Sequence, residues 1–329
     1  MFKKAEVRRE CWDYAVPFAI ARGVRTSSDL VVVTLDDGIH RGQGESCPTS
    51  RYGESVESVL AQVEEMLSAL KGGADWDDLH DDLPPGAARN AVDCAIWDWR
   101  AKSQNRRVAD LLGLAPLRPV ATVFTVGIGT LDEMARSAER RSKQHGTLKI
   151  KLGDGGDDLA RLRAVRAAAP GARLIVDVNE GWDAARLEEM MPELAALGVA
   201  MLEQPLPAGQ DGALAGIERS MPIGADESCH VAADVEELVG RYDVVNIKLD
   251  KTGGLTEAMR LLKAAKVRGF ETMIGCMAGT SLAMAPGVLV AQNCAFVDLD
   301  APLLFGQDRE PRLLYDGETV HPPEPALWG

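Results

Sequence analysis

The 329-residue chain is poor in the features that would tie it to a disulfide framework, a membrane or a nucleic acid. Its six cysteines, at 11, 47, 94, 229, 276 and 294, form no C-x-x-C pair. Neither a zinc site nor a stapled secreted scaffold follows from them, and reduced thiols are expected. No stretch reaches the roughly 18–20 apolar residues of a membrane span, and residues 1–10 are dense in charge, with no run of signal-peptide length. Basic tracts interleaved with aromatics are missing, and a formal net charge of −14 sets the overall field against nucleic acid. No strand-like run is followed by G-x-G-x-x-G, which removes the main sign of a dinucleotide site. The expectations are a cytoplasmic protein with no membrane partner and no nucleic-acid partner.

What is present fits a soluble protein with one barrel-sized unit and a smaller one: 46% of residues are hydrophobic and 26% charged. Residues 30–35, Leu-Val-Val-Val-Thr-Leu, are a strong β run, and Asp36-Asp37-Gly38 is a turn before a second strand. Residues 54–114 read as helices, broken at Pro84-Pro85-Gly86 and resuming over 87–102 with Ala91, Ala95 and Trp97 at helical spacing. From about 119 the texture changes. Eight β-rich runs recur, at 120–126, 148–152, 174–178, 200–203, 223–226, 244–248, 272–276 and 296–299, each followed by an Ala/Leu/Arg-rich helical stretch. Strand–helix alternation at this period means a parallel sheet, and eight units in so few residues point to a closed barrel. The predicted architecture is α/β: an α+β unit over 1–115, a barrel over 116–305, and a Pro-rich tail over 306–329 packing back on the first unit.

The barrel runs end in polar residues. The second ends in Lys149-Ile150-Lys151, the third in Asp177-Val178-Asn179, the fourth in Glu203-Gln204-Pro205 and the fifth in Asp226-Glu227-Ser228. The sixth ends in Asn246-Ile247-Lys248, and the eighth carries Asp298-Leu299-Asp300. In a (β/α) barrel these ends converge on the face where active sites are built. One acidic strand end is commonplace; three in succession, flanked by lysine-bearing ends, are not. Three carboxylates without His or Cys make a hard-oxygen site suited to Mg²⁺ or Mn²⁺. Lys151 and Lys248 come from strands on opposite sides of that site. Removing a proton next to a carboxylate builds a second negative charge on one group, which a divalent cation helped by Lys149 would stabilise. A lysine acts as base only if its pKa falls towards ~7–8, so burial and nearby positive charge are expected to lower it.

At these residues the chain resembles the muconate-lactonizing subgroup of the enolase superfamily. The likeness rests on Lys149 and Lys151, on Asp177, Glu203 and Asp226, and on Lys248 followed by Lys251-Thr252-Gly253-Gly254. Within that subgroup it is similar to the dipeptide epimerases acting on L-Ala-D/L-Glu, through Met201-Leu202-Glu203-Gln204-Pro205-Leu206-Pro207 and Ala225-Asp226-Glu227-Ser228-Cys229-His230. The resemblance implies a modified (β/α)₇β TIM-type barrel under an α+β capping domain. It implies Mg²⁺ (or Mn²⁺) on Asp177, Glu203 and Asp226, with Lys151 serving the L-configured centre and Lys248 the D. Lys149 would support the metal-bound carboxylate and Thr125 would line the pocket. It further implies that Asp298 and Asp300 receive a dipeptide ammonium, that Arg25, in the loop after Arg22, meets the substrate's side-chain carboxylate, and that Cys276 and Ala278 contact the peptide through backbone atoms. Tyr52 would sit in a second loop closing on the ligand. The partner so implied is a small acidic dipeptide from cell-wall peptide, with self-association into a homo-oligomer as a further expectation. Metal and lysines alone leave o-succinylbenzoate synthesis, muconate cycloisomerisation, N-acylamino acid racemisation and other dipeptides open; the two aspartates speak against the first three, whose substrates lack a free ammonium, and Arg25 against a dipeptide with a cationic C-terminal residue. His230, the Gly253-Gly254 turn, Trp97 and Trp99 are read as structural.

Overall fold

In the computed structural model, which describes residues 2–329, the chain opens with a three-stranded antiparallel sheet, β1 (Lys4–Ile20), β2 (Gly23–Asp36) and β3 (Arg41–Ser46). The apolar run at 30–35 is the buried centre of β2. The hairpin of β1 and β2 runs on past an irregularity between Asp13 and Phe18, so Arg25 lies on a strand, paired with Phe18, rather than in the loop expected for it. One face of the sheet is covered by α1 (Val56–Lys71), α2 (Trp76–His80) and α3 (Ala87–Ser103). The start of α1 is fixed by Ser55, whose side chain and backbone exchange hydrogen bonds with Ser58. Its buried Val59, Val63, Met66, Leu67 and Leu70 form the stripe that an amphipathic helix needs.

A short α4 (Val108–Leu111) and β4 (Val120–Ala121) lead into eight parallel strands: β5 (Phe124–Val126), β6 (Thr147–Lys151), β7 (Arg173–Asp177), β8 (Val199–Glu203), β9 (Ile223–Ala225), β10 (Val244–Ile247), β11 (Glu271–Ile274) and β12 (Phe296–Val297). They pair in strict sequence order. The curled sheet closes where Val123 N–H donates to Val297 O (3.0 Å) and Leu299 N–H to Thr122 Oγ1 (2.9 Å). The strands are near-continuous apolar runs because both faces are covered, as in other parallel sheets. Around them lie α5 (Leu131–Arg141), α6 (Asp158–Ala168), α7 (Ala184–Ala196), α8 (Val235–Leu238), α9 (Leu249–Thr252), α10 (Leu255–Val267) and α11 (Ser281–Ala291). The helical stretch expected after β8 is a 3₁₀ turn, Asp211–Gly216, instead. Pro205, Pro207, Gly209, Gly212 and Gly216 crowd this segment and deny it a regular helix.

After β12 the chain makes a 3₁₀ turn, Ala301–Leu303, where an eighth helix would stand, which makes the architecture a (β/α)₇β barrel. The tail adds β13 (Tyr315–Asp316) and β14 (Thr319–Val320), and β14 pairs with β4 at the bottom of the barrel. The tail ends against α3, where the fully buried Trp328 donates its indole N–H to Cys94 O (3.0 Å).

Six apolar side chains, Val123, Ile175, Met201, Val244, Met273 and Phe296, fill the barrel as a separate cluster. Side chains two residues apart on a strand share a face. The next inward positions above this floor are therefore Thr125, Asp177, Glu203, Asn246 and Asp298. The polar layer is set by the same register that sets the core.

Candidate active site

Asp177, Glu203 and Asp226 are fully buried and offer carboxylate oxygens within 4.8 Å of one another. Lys151, from β6, lies 2.5 Å from Asp177 Oδ2, and Lys248, just after β10, lies 2.6 Å from Asp226 Oδ2. Because β7, β8 and β9 stand between β6 and β10, the two ammonium groups approach the triad from opposite flanks. Lys149 sits beneath, 2.9 Å from Glu203, 2.8 Å from Asp298 and 3.1 Å from Asp177.

This charge set fits a divalent cation. Glu203 Oε2 and Asp226 Oδ1 accept no well-aligned hydrogen bond, although lysine nitrogens lie at 2.9 and 2.8 Å. Two such buried oxygens, beside the Asp177 carboxylate on the adjacent strand, are donors for a hard ion. Burial and the neighbouring Asp177 push the Glu203 carboxyl up to about 7, a cost that a bound cation would reverse. Burial also disfavours ionised Asp177, but Lys151 and Lys149 outweigh it and hold the group below its usual range. Asp226 is held well below by Lys248, Lys251 and Lys149 against the same burial. The fall expected for Lys248 is opposed by its carboxylate neighbour. Burial works to lower it, but Asp226 at 2.6 Å overrides burial and raises it.

Above the triad is a chamber of about 300 Å³. Of the residues singled out in the sequence, Arg25, Thr125, Lys149, Lys151, Lys248, Cys276, Ala278, Asp298 and Asp300 all line it. Tyr52 does not; its ring packs edge-on against His230 at 4.6 Å, and its neighbour Arg51 faces the chamber instead. Asp298 and Asp300 are not equivalent. Asp298 is already paired with Lys149, while Asp300 accepts Thr125 N–H at 2.6 Å. Burial and Asp298 push Asp300 up to about 8.

Several contributors carried no role in the sequence reading. Asn179 accepts from Lys151 (3.1 Å), and Asn246 donates to Glu203 (2.8 Å). Lys251, fully buried, lies 2.8 Å from Asp226 Oδ1 and donates to Asn246 O (2.9 Å). Asn179 and Asn246 were recoverable from two-residue spacing to Asp177 and Lys248. Arg22, 2.9 Å from Glu227, and Arg51 were not, because their partners lie far away in sequence.

Two family descriptions cover nearly the whole chain: "Mandelate racemase / muconate lactonizing enzyme, N-terminal domain" matches residues 3–113, and "Enolase C-terminal domain-like" matches 133–324. The chain belongs to the enolase superfamily. Among enolase-superfamily relatives, the L-Ala-D/L-Glu epimerase of Escherichia coli K12 is 45% identical over 97% of this chain and 99% of its own length. The N-acetyl-D-glutamate racemase of a Pseudoalteromonas species is 42% identical over 91% of this chain and 95% of its own. An Agrobacterium tumefaciens enolase family member, solved with sodium and L-Ala-L-Glu, superposes with a TM-score of 0.96 at 48% identity, covering 99% of each chain. The dipeptide epimerase of Enterococcus faecalis, solved with Mg and L-Leu-L-Tyr, superposes at 0.90 with 29% identity, covering 99% of this chain and 98% of its own. The fold of the whole chain is thus shared with these two solved structures.

Proposed function

We propose that this protein is a Mg²⁺-dependent epimerase that inverts the α-carbon of the C-terminal residue in L-Ala-D/L-Glu, serving murein peptide metabolism. The observation that carries the reading is the placement of Lys151 and Lys248 at opposite flanks of one carboxylate triad. A substrate α-carbon between them presents one face to each ammonium or amine. Lys151 Nζ takes the proton from one configuration and Lys248 Nζ returns one to the other face; the reverse reaction exchanges the roles. Asp177, Glu203 and Asp226 are the ligands for Mg²⁺, with Mn²⁺ as a substitute. When bound, the ion opposes the second negative charge that deprotonation places on the substrate carboxylate. Lys149 adds positive charge beneath it.

Substrate class is argued from the chamber's other walls. Asp298 and Asp300 offer carboxyl groups to the dipeptide ammonium. A cation arriving beside Asp300 would favour its ionised form and lower the cost of its burial. Thr125 N–H fixes Asp300 in place, and Cys276 and Ala278 border the peptide. Arg25 has no carboxylate partner among the described residues, whereas Arg22 and Arg51 are both neutralised by glutamates. It remains as the guanidinium for a side-chain carboxylate. Residues 1–115 would act as the cap that supplies Arg25, 116–305 as the catalytic barrel, and 306–329 as the strap joining them.

A second reading, racemisation of N-acetyl-glutamate, is favoured by the Pseudoalteromonas relative. Asp300 argues against it, since an acylated amine brings no positive charge to a buried carboxyl that has no salt-bridge partner among the described residues. Incubation in D₂O with Mg²⁺ and a panel of dipeptides and N-acetyl-glutamate, read by mass spectrometry, tests both. Deuterium entering L-Ala-L-Glu and L-Ala-D-Glu in preference to the rest is the expected result. Preferential labelling of N-acetyl-glutamate or of non-acidic dipeptides overturns the assignment.

A further inference from the structure

We propose that Glu180 is a positioning residue that holds both capping-domain loops over the substrate chamber; the proposal rests on the dipeptide-epimerase reading for its kinetic consequence. Glu180 follows β7 directly after Asn179, and both occupy the left-handed region, at φ +70° and +45°. Neither is glycine, and neighbouring residues in that conformation persist where the surroundings over-determine them. What surrounds Glu180 is a convergence of three segments. Arg51, in the turn Ser50–Tyr52, grips it with two parallel bonds of 2.6 Å each. Arg22, between β1 and β2, reaches the same carboxylate at 3.4 Å. Ala208 N–H, after β8, donates at 2.8 Å. The carboxylate is only 10% exposed, while the two arginines reach it from the surface, each about a third exposed.

The turn also divides its two side chains between tasks. Asn179 points inward, to Lys151 at 3.1 Å, while Glu180 points to the cap. Arg22 ties the two together through Asn179 O (3.2 Å) and through Glu227 (2.9 Å), whose same oxygen accepts from Asn179 Nδ2 (3.4 Å). Arg22, Arg51 and Asn179 all line the chamber. The Glu180 carboxylate itself meets the cap arginines and Ala208, while Lys151 is held by Asn179 and Asp177; the arrangement neutralises Arg22 and Arg51 on the protein and leaves Arg25 for the ligand.

Glu180→Gln keeps size and shape but removes the charge both arginines meet. With L-Ala-L-Glu as substrate, KM should rise about tenfold while kcat stays within about twofold, because the loss falls on loop positioning rather than on proton transfer. Arg51→Ala should behave alike, and the double variant should be no worse than either single one. Amide hydrogen exchange without substrate should quicken in segments 20–25 and 49–53 together in Glu180→Gln. A fall in kcat at constant KM, additive effects of the two substitutions, or unchanged exchange in both segments overturns the proposal. If the wild-type protein leaves the dipeptide untouched, the functional reading fails, and the exchange measurement still decides the role of Glu180.

Discussion

Four lysines meet at the mouth of the barrel, and their partners separate their tasks. Lys149 and Lys251 each have several buried partners that fix them as counter-charges. Lys151 and Lys248 each contact a single carboxylate and face the chamber. Replacing Lys248 by Ala should cut kcat by roughly 10²–10⁴-fold, the usual contribution of a positioned acid–base group, with thermal unfolding still cooperative; a variant retaining wild-type kcat would remove Lys248 from the chemistry. Asp300 yields a pH prediction. Its folded-state value of about 8 lies above the ordinary carboxylate value, so the folded protein holds the proton more tightly than the unfolded chain. The ligand-free protein therefore loses stability as pH rises from the ordinary carboxylate range through about 8. Asp300→Asn should flatten that decline in Tm measured from pH 5 to 9. The residues legible in the sequence, Asp177, Glu203, Asp226, Lys151 and Lys248, are those whose place follows from a strand end alone. Asn179, Asn246, Lys251 and Arg22 act on other side chains, and only the closed barrel brings those partners within reach.

At the scale of elements, the eight strands were legible because both their faces are buried and each is a compact apolar run between polar ends. The segment after β8 was misread as helical, since its prolines and glycines act locally while the overall βα rhythm suggested otherwise. The docking of α3 on the barrel was not legible at all. Arg89 on α3 donates to Thr252 O (2.7 Å) and Gly253 O (3.2 Å), Asn90 to Asp250 (2.9 Å), and Asp93 accepts from Thr256 N–H (2.9 Å). These bonds grip the segment that carries Lys248. Gly253 stands at φ +76°, and a Cβ there would come 2.4 Å from Arg89 Nε. Gly253→Ala should therefore lower kcat by displacing Lys248 as well as lowering Tm. The tail has a simpler test. Trp328→Ala empties a fully buried site on α3 and should cost about 3–5 kcal/mol in urea unfolding, with KM unchanged; a cost below about 1 kcal/mol, within the range of surface substitutions, would show that the strap is dispensable.

For the whole molecule, the apolar packing of the described residues falls into three clusters: one within the cap, one inside the barrel, and a large one around the barrel that also takes in Val32, Cys94 and Ala101 of the cap. The chamber draws its walls from both parts, and the barrel strand ends supply the carboxylates and lysines at its base. Against a net charge of −14, Arg25 is the chamber's cation without a carboxylate partner among the described residues, since Arg22, Arg51, Lys149, Lys151 and Lys248 are each paired with one. A metal that binds the folded triad and not the unfolded chain stabilises by linkage. Chelation with EDTA should abolish turnover, and adding Mg²⁺ should restore it and raise Tm. Glu203→Gln should lose the Tm response. A Tm insensitive to Mg²⁺ in the wild-type protein would speak against the triad as a metal site.

The most direct test of the two-flank arrangement follows each epimer separately. Lys151→Ala and Lys248→Ala are incubated in D₂O with Mg²⁺, once with L-Ala-L-Glu and once with L-Ala-D-Glu, and α-deuterium is read by mass spectrometry. Lys151→Ala should label predominantly the D epimer and Lys248→Ala predominantly the L, with interconversion by either reduced by roughly 10²–10⁴-fold. Comparable labelling of both epimers by one single-lysine variant would contradict the arrangement.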